Sequence, residues 1–308
     1  MAVRFLENKG SGNILEISRA RLLELTPNVY PLTWETILSG KGDSAAILGA
    51  GFAEREVFFG FEGVDLTRYQ LPTIDCYDIA TNPPEKFLAL RSQYPNLQLN
   101  YFCDRNLAEL ELTKLYAPNS LRLVSVHGVL DYLQPHTVTK TLLDIVKVQP
   151  EAISIRLFLI GNPWSRNFAS IEQLAMELNS IEITTNGLVE SIDFDIFCRI
   201  GIMQLNILDK DKIEHNLLPS YGASHVMPDK LVGYLISQGY QLVANDVYSL
   251  SSQDLQSDEL QNHNSNKKDL SLDNPHRILL FFNRYNTHLN RANQRICVSE
   301  TPPFERLA

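Results

Sequence analysis

Residues Ser44–Gly51 read Ser-Ala-Ala-Ile-Leu-Gly-Ala-Gly, a short apolar run delivered onto a Gly-Ala-Gly turn. Ala45 to Leu48 has the length and apolarity of a strand buried on both faces of a parallel sheet. Gly40-Lys41-Gly42-Asp43 breaks the chain immediately before it. Gly49-Ala50-Gly51 then opens a helix-compatible segment over 53–61. At such a turn a backbone lacking Cβ lets a ligand approach closely, and the N–H groups of the following helix point outward. Alone, these three residues equally fit a tight strand-to-helix connection that holds no ligand.

Outward from this turn the same pattern recurs. Thr73 to Ile79, Leu97 to Phe102, Leu121 to Val126 and Ile153 to Ile160 are apolar, strand-length runs. Helix-compatible segments at 84–94, 106–116 and 136–148 separate them. A parallel sheet with helices on both faces follows, because each parallel crossover needs a dozen or more residues and must cover the sheet. Upstream, residues 14–25 and 32–39 read as helices. Downstream, 230–239 reads as a helix ending on Gly239, followed by strands at 240–250 and 277–282. Residues 251–275 between those strands are rich in Ser, Asn, Asp and Gln and predict a mobile loop. Two successive strands joined without a helix pair antiparallel, so the last of the seven strands should be reversed.

The expected organisation is an N-terminal helical segment, 1–44, contributing to a substrate lid; a core of 45–161 and 229–308; and an insertion at 162–228. That insertion mixes aromatic and apolar runs irregularly and reads as an α-rich or mixed cap for substrate recognition.

Bulk properties narrow the function. The net charge of −9 disfavours nucleic acid, whose binding needs clustered cations to neutralise phosphates. No apolar run approaches the roughly 20 residues that span a bilayer, and the N-terminal stretch lacks the apolar segment of a secretory signal. A cytoplasmic protein with no membrane partner is expected. The cysteines at 76, 103, 198 and 297 have no paired spacing and read as reduced. No H-x-x-x-H or C-x-x-C spacing suggests a metal, and no G-x-S-x-G elbow suggests a nucleophilic serine.

The chemistry concentrates at the strand ends. A dinucleotide fingerprint would carry a third glycine where Glu54 stands, a bulky anion unsuited to a pyrophosphate. Asp78 closes the second strand in Ile74-Asp75-Cys76-Tyr77-Asp78-Ile79-Ala80, where a carboxylate can accept from both hydroxyls of a ribose. Asp75, three residues earlier, faces the other side of the pleat and reads as a packing or surface residue. Asp104, in Cys103-Asp104-Arg105, ends the third strand, as an adenine-side group or the N-cap of the next helix. His127 ends the fourth strand and is a candidate base. Trp164 follows the fifth. Together with Tyr30, Trp34, Tyr221 and His225, it could line a substrate pocket, with His225 a second candidate base.

In this order, GAGFAER (49–55), YDIA (77–80), CD (103–104), VSVHGVLDYLQP (124–135) and LVGYLISQGYQLVANDVYSL (231–250) resemble the motifs of class I S-adenosylmethionine-dependent methyltransferases. The resemblance implies a Rossmann-like α/β fold, a seven-stranded mostly parallel sheet with an antiparallel final strand. It also implies S-adenosylmethionine as cofactor, held by Gly49, Ala50, Gly51, Arg55, Asp78, Ile79, Asp104, Arg105 and the backbone of His127. GAGFAER further resembles the GAGxxxR variant of leucine carboxyl methyltransferase relatives, in which the arginine pairs with the cofactor's carboxylate. Arg55 holds that position, and its guanidinium fork suits a carboxylate. Ala53 stands where that subgroup has Asp.

The expected reaction is direct methyl transfer to an oxygen or nitrogen of a small molecule or a peptide carboxylate, and a homodimer is left open. The competing expectations are a nicotinamide-dependent oxidoreductase on a related sheet and a non-catalytic, protein-binding member of the methyltransferase fold.

Overall fold

The computed structural model describes residues 17–130, 133, 135–158, 181–184, 202–207, 224–226, 228–248 and 277–285. Five strands lie parallel in one sheet: β1 (Ser44–Leu48), β2 (Thr73–Tyr77), β3 (Leu99–Phe102), β4 (Leu121–His127) and β5 (Ala152–Phe158). β9 (Tyr240–Tyr248) and β10 (Arg277–Arg284) complete it in the order β3-β2-β1-β4-β5-β10-β9. β10 runs antiparallel to both β5 and β9. The strand that ends the described chain is therefore the reversed one, as expected, and it lies between β5 and β9 rather than at the edge. This is the Rossmann-like sheet anticipated from the strand–helix alternation.

Helices α1 (Arg19–Leu25), α2 (Val29–Ser39), α3 (Phe59–Phe61) and α4 (Glu85–Ser92) occupy one face, over a core that includes Ile37, Ile47, Val57, Phe61, Phe87 and Phe281. The other face carries α5 (Leu112–Leu115), α6 (Pro135–Val148) and α7 (Pro228–Ser237). α6 buries Val138, Leu142, Ile145 and Val148, the spacing that points one helical stripe at a sheet.

α2 begins at Val29, three residues before the expected start. Pro31 falls within its first turn, where its missing N–H has no carbonyl to meet, so it does not delay the helix. Both ends of α2 are tied to the sheet. The Asp246 carboxylate of β9 accepts from the backbone N–H groups of Asn28 and Val29 and from Asn28 Nδ2, at 2.7 to 3.3 Å. The Arg122 guanidinium of β4 donates to the Ile37 and Leu38 carbonyls at 2.9 and 3.2 Å. An anion at the N-terminus and a cation at the C-terminus match the helix dipole.

Two expected helices are altered. In place of 106–116 only α5 is helical, because the Asn106 side chain turns the chain locally by accepting from Ala108 N–H. The segment after the glycines is a π-helical turn, Glu54–Phe58, running into the single turn of α3. Of the expected insertion at 162–228, the described residues before Pro228 form a separate antiparallel sheet: β6 (Ile181–Thr184), β7 (Ile202–Ile207) and β8 (Ser224–Val226), in that order. The expected loop at 251–275 lies outside the described residues.

Candidate functional site

The C-terminal ends of β1 to β4 meet at the glycine turn. Gly49 and Ala50 N–H both donate to the Tyr77 carbonyl, at 2.9 and 3.1 Å. Gly51 N–H donates to Asp78 Oδ2 at 2.8 Å, and the Tyr101 hydroxyl donates to the Gly51 carbonyl at 3.0 Å. The other Asp78 oxygen accepts from Ala80 N–H at 2.9 Å, which turns the chain and ends β2 before Asp78. Gly49 has φ +68°, and a Cβ built on it would lie 2.8 Å from Val129 Cβ, so the β1 and β4 tips touch there. Ala53 is also left-handed, at φ +52°, immediately before the π-helical turn.

Beneath this rim, on the α2 face of the sheet, two adjacent strands carry the same polar pattern. Val124-Ser125-Val126-His127 lies beside Ile153-Ser154-Ile155-Arg156, with Ser125 facing Ser154 and His127 facing Arg156. The ladder is knit to its surroundings. His127 Nε2 is 2.8 Å from Ser154 Oγ, whose neighbour Thr33 on α2 is 3.3 Å away. His127 Nδ1 lies 2.8 Å from Glu56 Oε1 and 3.3 Å from the Tyr30 hydroxyl, and the Tyr30 and His127 rings meet edge to face. Arg156 Nη2 donates to the His127 carbonyl at 3.3 Å.

Burial lowers the His127 pKa, against the opposing pull of Glu56, and favours the neutral imidazole. The consistent tautomer has Nδ1–H donating to Glu56 and Nε2 accepting from Ser154. Burial also opposes ionisation of Glu56, yet the hydrogen bond from His127, with the Arg156 and Arg55 cations nearby, holds its carboxyl below the ordinary value. Tyr30, raised first by burial and then by Glu56, stays a neutral phenol.

The structure gathers many of the expected residues and gives several of them different tasks. Gly49, Ala50, Gly51, Asp78, Ile79, Asp104 and Arg105 assemble at the rim, with Arg105 N–H donating to the Asp78 carbonyl at 2.9 Å. Ile79 is 42% exposed there, an apolar side chain presented to solvent beside a carboxylate. Asp104 has φ +53°, and no helix begins after it, so its N-cap role lapses. Asp75 is buried rather than superficial, accepting from Asn100 Nδ2 at 2.8 Å and from the Tyr116 hydroxyl at 2.6 Å. His127 does not stand open at the mouth of its strand. Its side chain is 3% exposed and both ring nitrogens are engaged. Tyr30 and Trp34 are buried on α2; Tyr30 serves the ladder, and Trp34 Nε1 donates to the Arg55 carbonyl at 2.7 Å. His225 lies on β8, its backbone opposite Met203 of β7. Trp164 and Tyr221 lie outside the described residues.

Glu56, Arg156, Ser154 and Tyr101 were absent from the expected set. A signal for two of them exists: Ser154 and Arg156 alternate with apolar residues in a strand otherwise buried on both faces. Glu54, expected to repel a pyrophosphate, is paired with Lys86 at 3.0 Å, which moderates that repulsion. The volume of the pair remains beside the loop. The π-helical turn also offers no extended helix dipole for a phosphate. Among the described residues, no cluster of three or more His, Cys, Asp or Glu is placed to hold a metal, and no helix is long and apolar enough to cross a membrane.

No protein-family model and no curated protein sequence matches the chain. Solved structures resemble it. An S-adenosylmethionine-dependent methyltransferase from Mesorhizobium loti is 15% identical at a TM-score of 0.42, covering 82% of this chain and 96% of its own. The 1,6-didemethyltoxoflavin-N1-methyltransferase of Burkholderia thailandensis, with 1,6-didemethyltoxoflavin and S-adenosylhomocysteine bound, is 11% identical at 0.43, covering 84% and 79%. Magnesium protoporphyrin IX methyltransferase from Synechocystis PCC 6803, with bound S-adenosylhomocysteine, is 10% identical at 0.37, covering 86% and 80%.

Proposed function

We propose that this chain is an S-adenosylmethionine-dependent methyltransferase that transfers a methyl group to an oxygen or nitrogen of a small molecule or peptide carboxylate. The observation that carries the reading is the Asp78 carboxylate at 2.8 Å from the Gly51 amide, with Ile79 exposed beside it, at the open ends of parallel strands. Ligands of open α/β sheets bind outside the carboxyl ends of the strands, where the strand order reverses. Here that place lies between β1 and β4, where the Gly49 turn sits.

The residues fit such a cofactor. A carboxylate whose oxygens each accept one backbone N–H retains lone pairs for ribose hydroxyls. Ile79 offers an apolar platform for an adenine, with Asp104 and Arg105 adjoining. The fit to a pyrophosphate is poorer, for the reasons of volume and dipole given above. Arg55 is assigned to the amino-acid carboxylate of the cofactor, and the His127 backbone to the wall beside it. When bound, the cofactor supplies a methyl group already activated as a sulfonium. The chain then has to align an acceptor and exclude water, and a base is required only when the acceptor arrives protonated. The His127 ring acts as a positioning group, holding Glu56 and the loop behind the rim. The N-terminal helices and the segment 162–228, His225 included, are assigned to the acceptor side.

Two measurements test the class. Mass spectrometry of the purified protein should find retained S-adenosylmethionine or S-adenosylhomocysteine. Calorimetry should give saturable binding of S-adenosylhomocysteine and none of NADH; the reverse would replace this reading with an oxidoreductase.

A further inference from the structure

The π-helical turn Glu54–Phe58 follows the glycine loop almost directly, and Ala53, which joins the two, is left-handed at φ +52°. Both conformations are costly for residues with side chains and persist where their surroundings hold them. The holding groups come from the N-terminal helices. Trp34 Nε1 of α2 donates to the Arg55 carbonyl inside the turn at 2.7 Å, and Arg19 Nε of α1 donates to the Phe59 carbonyl just after it at 2.7 Å. The two donors support each other, since the Arg19 guanidinium carbon lies 5.4 Å from the centre of the Trp34 ring.

Gly60 shows how closely the indole is seated. A Cβ there would lie 2.5 Å from both Cδ1 and Cγ of Trp34, so only glycine lets α3 lie against the ring. Trp34 is buried, and its N–H finds an acceptor in the Arg55 carbonyl. A phenylalanine would fill a core equally well; the indole adds a donor aimed at one backbone atom. Fixing that carbonyl fixes the peptide plane between Arg55 and Glu56, and so the directions in which both side chains leave the backbone. Glu56 accordingly meets His127 at 2.8 Å. Tyr30 and Thr33 of the same helix reach His127 and Ser154, so α2 sets the turn against β4 and β5 as one rigid piece.

We propose that Trp34, braced by Arg19, is a positioning residue that holds the turn so that Arg55 faces the amino-acid end of the cofactor. This rests on the methyl-transfer reading and on the place of Arg55 within it. It gives the buried side of α1 and α2 a task at the cofactor in addition to the acceptor side.

The test compares two probes on the full chain by titration calorimetry: S-adenosylhomocysteine, and 5′-methylthioadenosine, which lacks the amino-acid carboxylate. Trp34→Phe keeps a ring against Gly60 and removes the N–H. It should weaken S-adenosylhomocysteine at least tenfold and 5′-methylthioadenosine less than twofold, with far-ultraviolet circular dichroism unchanged. A merely structural role for Trp34 would weaken both probes alike. Equal weakening of the two, or wild-type affinity for both, overturns the proposal. Should Trp34→Phe fail to fold, Arg19→Met decides: it removes the brace at a partly exposed position and should weaken S-adenosylhomocysteine severalfold but not 5′-methylthioadenosine, and unaltered affinities overturn the proposal. If the wild type binds neither probe, the methyl-transfer reading falls, and hydrogen exchange at the Glu56 and Val57 amides decides the clamp by itself. Faster exchange in Trp34→Phe than in wild type keeps the clamp, and unchanged exchange overturns it.

Discussion

His127 Nδ1 and Glu56 Oε1 lie 2.8 Å apart in the protein interior, joining the end of β4 to the turn that follows the glycine loop. Both groups are buried, so the hydrogen bond is made where water cannot replace it. It fixes the distance between the two chain segments that flank the glycine turn.

Removing the acceptor should therefore loosen the loop as well as the fold. Glu56→Leu leaves the His127 N–H without its carboxylate and is expected to cost about 1–3 kcal/mol of stability. Glu56→Gln, which keeps a carbonyl acceptor, should cost less. Urea denaturation measures both, and calorimetry with S-adenosylhomocysteine should show weaker binding for the Leu variant. Equal midpoints for the two variants would mean that the pair contributes only packing.

The same pair sets a pH dependence. The folded His127 pKa is lowered by burial, so below its ordinary value of about 6.5 the unfolded chain binds a proton that the folded one resists. The stability contribution is complete above that value and is lost as pH falls through it toward the folded pKa. Glu56, also lowered, acts in the same sense within the carboxylate range. Unfolding free energy should fall between about pH 7 and pH 5, by at most about 1.4 kcal/mol per unit for this one group. His127→Asn, which cannot titrate, should show a shallower slope than wild type over that interval. Identical slopes would place the titration elsewhere.

The sheet was legible in the sequence because parallel strands buried on both faces are short apolar runs, and Ala45–Leu48, Leu121–Val126 and Ile153–Ile160 have no competing reading. The reversal of β10 followed from the polar, loop-like composition of 251–275. The rim was legible for a related reason, since Gly49, Gly51 and Asp78 fall at strand ends. The ladder beneath it was not. Glu56 reads as one charge among neighbours in Glu54-Arg55-Glu56, and only the π-helical turn aims it inward at His127. Arg122 was likewise invisible in an apolar run, because its partners are backbone carbonyls from Ile37, Leu38 and Gln70 that no side-chain pattern marks.

Asp78 has an observed task and a proposed one that a mutation can separate. Its carboxylate accepts from Gly51 N–H, and the remaining lone pairs are proposed for the ribose. Asp78→Ala should weaken S-adenosylmethionine binding by about 1–3 kcal/mol, the cost of unmade buried hydrogen bonds. Asp78→Asn keeps an acceptor for Gly51 and should weaken binding less than Ala does. Calorimetry giving wild-type affinity for Asp78→Ala would remove the residue from the site.

Asp246 reaches across from β9 to the first turn of α2, and the ladder depends on where α2 rests. Burial raises the Asp246 carboxyl pKa, and the Asn28 and Val29 donors partly offset this, so the charge is kept in the interior by the helix end it caps. Asp246→Ala leaves those N–H groups unmet and should cost about 1–3 kcal/mol, more than an exposed cap because the Val29 N–H is buried. The loss should not stay at β9. Tyr30 and Thr33 belong to the same helix, so freeing its first turn loosens their contacts with His127 and Ser154. Hydrogen exchange should quicken at the amides of α2 and of the Glu56 turn while β1 to β3 stay protected. Exchange confined to Asn28 and Val29 would show that α2 is held by its apolar face and the Arg122 end alone.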